Sequence, residues 1–199
     1  MNSQGTLSFD FPTDEPTETL AEINAEMLER ARAVPSLRDR VFIFGEGPLA
    51  PRVAVVGESP GPPDIESGRP FMGPTGQMLE RILGSIGLKR RDCYLTNAVK
   101  IVSTGDEITP DILHFFTPYL HRELDVVRPR LIIAFGNTPT RALLGTKKAI
   151  SQVRGDFFSC RGMTVLPTFN PAYLLRDPSK KREAWEDMKR ARAFLNSLQ

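Results

Sequence analysis

Glu58 and Asp64 stand six positions apart in a stiff run, Gly57-Glu58-Ser59-Pro60-Gly61-Pro62-Pro63-Asp64. Two carboxylates held in such a frame can do acid–base work. In an isolated loop the same pattern is more often a proline-rich connection with solvated acids. Phe71 follows close behind, between Pro70 and Gly73. Gly57 to Gly61 also spells G-x-S-x-G after an apolar run, the form of a nucleophile elbow, so Ser59 is a remote candidate for a serine hydrolase. That reading needs a helix directly after the serine, which Pro60, Pro62 and Pro63 are expected to forbid. It also needs a histidine late in the chain, and His114 and His121 are the only two. There is no Walker-type phosphate loop and no G-x-G-x-x-G, which argues against nucleotide binding. Cys93 and Cys160 are the only cysteines. Two thiols can neither build a disulfide framework nor complete a four-ligand metal site.

The elements that must carry these residues alternate. A helix is predicted from about Thr17 to Val34, with Leu20, Ile23, Met27 and Leu28 along one face. A strand at Val53–Val56 ends at Gly57 and opens into a loop reaching Gly73. A helix from about Pro74 to Ile86 follows, then a strand at Cys93–Thr96. Thr109 and Pro110 read as the cap and first residue of a helix reaching Val127, with Pro118 inside it, where a kink is expected. Leu131–Phe135 is a continuous apolar run, the mark of a strand buried on both faces. Gly136-Asn137-Thr138-Pro139 starts a short helix through Leu144, Val165–Pro167 forms a further strand, and a basic amphipathic helix from about Ser179 closes the chain. This order predicts an α/β fold, a three-layer α/β/α sandwich around a largely parallel four-stranded sheet. Ligands of such sheets sit beyond the carboxyl ends of the strands, where the loops 57–73, 96–104 and 168–177 emerge.

The chain has 199 residues, 40% hydrophobic and 25% charged, the make-up of an ordinary globular protein. Residues 17–199 are expected to form one domain. Residues 1–16, rich in proline and acid, are expected to form a disordered arm. No apolar run reaches the roughly 18 residues of a membrane span, and the N-terminus has no leader pattern, so a reducing cytoplasm is the expected compartment. Net charge is only +2, yet residues 1–30 hold seven acids against one base, Arg30, so the body of the chain is basic. A basic body permits a polyanion partner without proving one.

Taken in order, several strings resemble the uracil-DNA glycosylase superfamily, most closely its family 4 type. They are Val56-Gly57-Glu58-Ser59-Pro60-Gly61; Ser67-Gly68-Arg69-Pro70-Phe71-Met72-Gly73 with Gly76-Gln77-Met78-Leu79; Tyr94-Leu95-Thr96-Asn97-Ala98-Val99-Lys100; Arg154-Gly155; and Pro167-Thr168-Phe169-Asn170-Pro171-Ala172-Tyr173-Leu174-Leu175-Arg176. The match runs from about Val41 to the C-terminus. It implies hydrolysis of the bond between uracil and deoxyribose in DNA, leaving an abasic site, a reaction that needs water but no metal or cofactor. The partner implied is uracil-containing DNA, single- or double-stranded, with no membrane partner and a monomeric enzyme. Excision of another deaminated base (hypoxanthine or xanthine) and binding of uracil or abasic DNA with weak turnover are the alternatives.

The resemblance also implies roles. Phe71 stacks on an extruded pyrimidine. Asn97 reads its edge, its oxygen accepting from N3–H and its amide donating to O4. Gly57 and Ser59 complete the uracil-binding set. Asp64 first, and Glu58 second, position the attacking water; the water-positioning aspartate of family 1 enzymes falls at Ser59 here. Asn170 donates to O2 of the departing base, where family 4 members usually carry histidine and the mismatch-specific branch has an N-P motif. Leu174 and Leu175 resemble the apolar wedge that fills the gap left by a flipped base. Arg176 contacts phosphate, as do backbone N–H groups of Gly136, Asn137 and Thr138 at a helix N-terminus. Family 4 proteins typically hold a four-iron cluster on four cysteines. Here Ile101 follows Lys100 and residues 1–92 contain no cysteine, so no cluster is expected and the first helix must be held by apolar packing.

Overall fold

The computed structural model describes residues 18–102 and 108–198. The acidic arm at 1–16 and the end of the loop 96–104 lie outside the described residues. Five strands, β1 (Val53–Gly57), β2 (Cys93–Asn97), β3 (Leu131–Phe135), β4 (Phe158–Cys160) and β5 (Met163–Thr168), form one sheet in the order β2-β1-β3-β5-β4. The first four strands of that order pair in parallel, as the apolar runs predict.

The fifth is a correction to the four-stranded expectation. β4 pairs antiparallel with β5 through a two-residue turn, Arg161-Gly162. Both turn residues have positive φ (50° and 79°), the backbone that lets a two-residue hairpin follow the twist of its strands. Arg161 adopts it while its guanidinium grips both carboxylate oxygens of Asp125. Three residues with a polar centre carry no period, so the sequence gives no strand signal there.

Strand alternation divides the core. Val53, Val55, Leu131 and Ile133 face α3 (Gly73–Ser85) and α8 (Lys181–Ser197), packing on Leu79, Leu83, Met188 and Leu195. Ala54, Val56, Ile132 and Ala134 face α4 (Pro110–Val127) and α5 (Asn137–Leu144), against Leu120, Leu124 and Leu143. The result is the expected α/β/α sandwich.

The first helix, α1 (Leu20–Arg32), begins at a Thr19–Glu22 capping box. Its Ile23, Met27 and Ala31 pack with Leu37, Ile101 and Phe116. Burying side chains the size of Ile23, Met27 or Leu37 contributes about 1.5–3 kcal/mol apiece. Ile101, the residue after Lys100, is itself part of this apolar seam.

The run after β1 is not all loop. A short helix, α2 (Pro62–Ser67), starts three residues beyond Ser59. Pro62 and Pro63 occupy its first turn, where no N–H is needed, so they begin the helix rather than forbid it. Two further short helices, α6 (Ile150–Val153) and α7 (Pro171–Arg176), follow α5 and β5. No described helix is long and apolar enough to cross a membrane.

Candidate active site

The carboxyl ends of β2, β1, β3 and β5 lie side by side, and each delivers one part of the site. Gly57 pairs with Asn97 in register, and the ladder runs on as Ala98 and Val99 donate to the carbonyls of Gly57 and Glu58 at 2.8 and 2.9 Å. A Cβ added to Gly57 would lie 2.3 Å from Asn97 Oδ1 and 2.6 Å from Phe71 Cζ. The ring and the amide therefore converge on a residue that must lack a side chain. Asn97 is 3% exposed, and its Nδ2 has no hydrogen-bond partner among the described residues. A buried donor left open costs about 1–3 kcal/mol, so its persistence marks a place for a ligand acceptor.

Phe71 holds its ring there through a left-handed backbone, φ 56°. Arg90 braces it. Its Nη1 donates to the Phe71 carbonyl at 2.7 Å, and its Nη2 to the Pro70 carbonyl and to Glu46 Oε1. Glu46 also takes a two-pronged contact from Arg69. Arg69 and then Arg90 hold the Glu46 carboxyl below the usual carboxylate range. A lowered acid stabilises the fold above its unfolded value near 4.3, and loses that contribution as pH falls through the lower folded value. Thermal unfolding followed between pH 6 and 3 should therefore show a loss in the wild type that is smaller in Glu46→Gln.

The two carboxylates differ in their commitments. Asp64 is buried; its Oδ2 accepts from Gly61 N–H at 3.0 Å and its Oδ1 from Met72 N–H at 2.7 Å. It ties both ends of the 61–72 segment together. Glu58 is exposed and accepts from Thr138 Oγ1 at 2.5 Å through Oε2 alone. Asp64 is thus held by the loop it frames, whereas Glu58 keeps one oxygen open to solvent.

Asn170 caps α7, its Oδ1 accepting from Ala172 N–H at 2.8 Å, while Nδ2 makes a long 3.4 Å contact with the Phe135 carbonyl. An amide has two N–H donors, so one remains for a ligand. Gly136, at φ 104°, passes close to it; a Cβ there would lie 3.4 Å from Asn170 Cβ. Behind this turn, Thr168 Oγ1 donates to Asp187 Oδ2 at 2.6 Å, and Arg154 grips both oxygens of Asp187. Burial pushes the Asp187 carboxyl up, and Thr168 and Arg154 pull it back. Gly155 is required because a Cβ would meet Asp187 Oδ1 at 2.4 Å.

Of the wedge pair, Leu175 is 40% exposed but Leu174 is 1% exposed and packs on Phe169 and Ala184. The assignment of Leu174 to DNA is therefore corrected: it is core. Arg176 is exposed. Asn137 accepts from Ile150 N–H at 2.7 Å through Oδ1, which leaves its Nδ2 and its backbone N–H as donors for a phosphate.

Sequence reasoning attached no role to the buried pair behind Asn97. Lys100 Nζ lies 2.5 Å from Glu123 Oε2 and 2.8 Å from the Asn97 carbonyl. Tyr94 and Thr96 hydroxyls donate to Glu123 Oε1, both at 2.9 Å. The available signal was a lysine flanked by Ala98-Val99 and Ile101-Val102.

Ser59 has no histidine at hand: a ring nitrogen of His121 lies 3.0 Å from the Ala142 carbonyl, and His114 is exposed on the same helix, α4. The cysteines do not fit an iron–sulfur cluster. Cys93 and Cys160 lie on opposite edge strands, β2 and β4, and burial pushes the Cys93 thiol up to about 12. The described residues contain no group of three or more His, Cys, Asp or Glu side chains arranged to hold a metal.

An α/β/α sandwich with Gly57, Asn97 and Asn170 at or just beyond the carboxyl ends of its parallel strands, and Phe71 folded back onto Gly57, is the class this geometry defines. The sequence profile of the Uracil DNA glycosylase superfamily matches residues 44–189, and the chain belongs to that superfamily. It is similar to the type-4 uracil-DNA glycosylase of Thermotoga maritima, 34% identical over 89% of this chain and 96% of that one. Further type-4 enzymes are those of Pyrobaculum aerophilum (34%, over 72% and 78%) and Saccharolobus solfataricus (31%, over 77% and 76%).

Proposed function

We propose that the protein is a monofunctional uracil-DNA glycosylase that acts as a monomer, takes the target base out of the helix and leaves an abasic site. The observation that carries this reading is the open, buried Nδ2 of Asn97 beside the Phe71 ring at Gly57. Uracil offers O4 to that donor and N3–H to the amide oxygen. Cytosine offers the opposite pattern and leaves buried groups unpaired, which rejects it strongly. The type-4 names of the relatives support the same substrate.

Extrusion of the base costs a few kcal/mol. Leu175 fills the gap in the stack, Arg176 and the backbone N–H groups at Gly136–Thr138 take phosphate, and Phe71 receives the base. As the glycosidic bond breaks, positive charge grows on the sugar and negative charge on the base. Glu58 stabilises the first and orients water on the sugar. The free N–H of Asn170 meets O2 and stabilises the second. Asp64 acts through the loop it frames.

The deciding experiment is release of base from a panel of single-lesion oligonucleotides. Release from uracil-DNA is the expected result. Release from a hypoxanthine or xanthine site alone would replace the substrate, and a shift of uracil-DNA with no alkali-labile site would leave a binding protein. The carboxylate roles separate by variant. Glu58→Gln is expected to lower kcat about 100-fold with unfolding unchanged, whereas Asp64→Asn lowers activity together with the unfolding midpoint; the reverse pattern would restore Asp64 as the residue that holds the water.

A further inference from the structure

We propose that the groove between α3 and α8 is a second nucleobase site, taking one unpaired base of single-stranded DNA beside the extruded one; this rests on the DNA-binding reading above. The groove measures about 260 Å³ and its floor is Ile82, Leu174 and Met188, with Trp185 on one wall and Arg81 and Lys181 at the rim. Its size falls below the about 300–1,000 Å³ of drug-sized pockets, and suits a single flat ring.

Three observations converge on nucleic acid as the occupant. Trp185 is 41% exposed on α8 and makes no ring contact among the described residues. Aromatic side chains on a positively charged track are how single strands are held, because every base has a face to stack. The rim is uncompensated: Arg81 and Lys181 have no ion pair among the described residues, whereas Lys180 and Lys189 are paired with Glu183 and Glu186. The groove is also continuous with the proposed DNA edge. Leu174, which floors it, belongs to α7, the helix that opens at Asn170 and presents Leu175 and Arg176 outward. A strand passing over Leu175 is thereby led toward Trp185. In a duplex the neighbouring base is paired and offers no free face, so the groove favours single strands.

Trp185 is the only tryptophan, so its emission reports the groove directly. The full chain is titrated with a cleavage-resistant 2′-fluoro-deoxyuridine oligonucleotide, single-stranded and as a duplex, and with a single strand lacking uracil. Quenching that saturates with both single strands but not with the duplex supports the proposal. Trp185→Ala should then weaken single-strand binding about five- to 150-fold, the range for loss of one stacked base, leave the duplex within about twofold, and be rescued by Trp185→Phe. No quenching, or equal single-strand affinity of Trp185→Ala and wild type, overturns it. Emission that changes with protein concentration before DNA is added assigns the groove to a second copy. Emission that changes on deleting residues 1–17 assigns it to the chain's own acidic arm. Either outcome overturns the proposal. Lost quenching with base excision intact defeats only the groove, while quenching without excision defeats only the glycosylase reading.

Discussion

Gly57→Ala is expected to cut uracil excision about 100- to 1,000-fold while leaving affinity for abasic DNA within a few fold. The added methyl would stand 2.3 Å from Asn97 Oδ1 and 2.6 Å from Phe71 Cζ. Neither neighbour can retreat freely. Asn97 sits in a strand whose carbonyl is held by Lys100, and Phe71 has its own carbonyl held by Arg90. The methyl therefore forces the amide or the ring out of the position that receives the base, and the loss should match removal of a well-aimed donor, about 100- to 1,000-fold in rate. Gly57 is not among the positive-φ residues, so alanine meets no backbone penalty and the effect is one of occupied space. An abasic site brings no base to the pocket, and its binding relies on phosphate contacts elsewhere. Single-turnover excision, paired with binding to an abasic oligonucleotide, reads both halves. Equal losses in the two would mean that the substitution disturbs the whole DNA face and that no base enters beside Gly57.

The same residue shows how much of this site could be read from the amino-acid string. Gly57, Asn97 and Asn170 are legible because each lies at or just past the end of a recognisable strand run, and parallel strands bring those ends to one edge. The four parallel strands are legible for the same reason. Phe71 is legible only from its Pro-Phe-Met-Gly setting and the family resemblance. What stayed hidden depends on partners far along the chain or on phase within short elements. Whether Asp64 faces solvent or backbone turns on Gly61 and Met72 N–H groups, and a six-residue helix gives too few turns to tell Leu174 from Leu175. The two prolines of α2 read as breakers because their position within the first turn depends on where the helix begins. Arg90 reads as one of a solvated Lys-Arg-Arg run, yet it is the brace that keeps Phe71 in its left-handed backbone.

Lys100→Met is expected to lower unfolding stability by about 3–5 kcal/mol, the cost of leaving the partner of a buried ion pair uncompensated. Lys100 and Glu123 side chains are 1% and 5% exposed. With the ammonium gone, Glu123 retains only the Tyr94 and Thr96 hydroxyls, which leave a buried charge without its counter-ion. For a chain of about this length each kcal/mol moves the melting temperature by about 2–4 °C, so a fall of about 6–20 °C should be seen. Lys100→Met with Glu123→Leu should recover much of it, since replacing both charges with apolar groups is often neutral. The double variant separates two jobs. If the pair only holds α4 against the sheet, restored stability brings restored activity. Lys100 Nζ also donates to the Asn97 carbonyl at 2.8 Å, so a positioning role leaves the double variant stable but deficient, with KM for uracil-DNA raised more than kcat is lowered. A single variant within about 1 kcal/mol of wild type would mean that the ion pair contributes nothing to the fold, and that the end of β2 is fixed by its ladder to β1 alone.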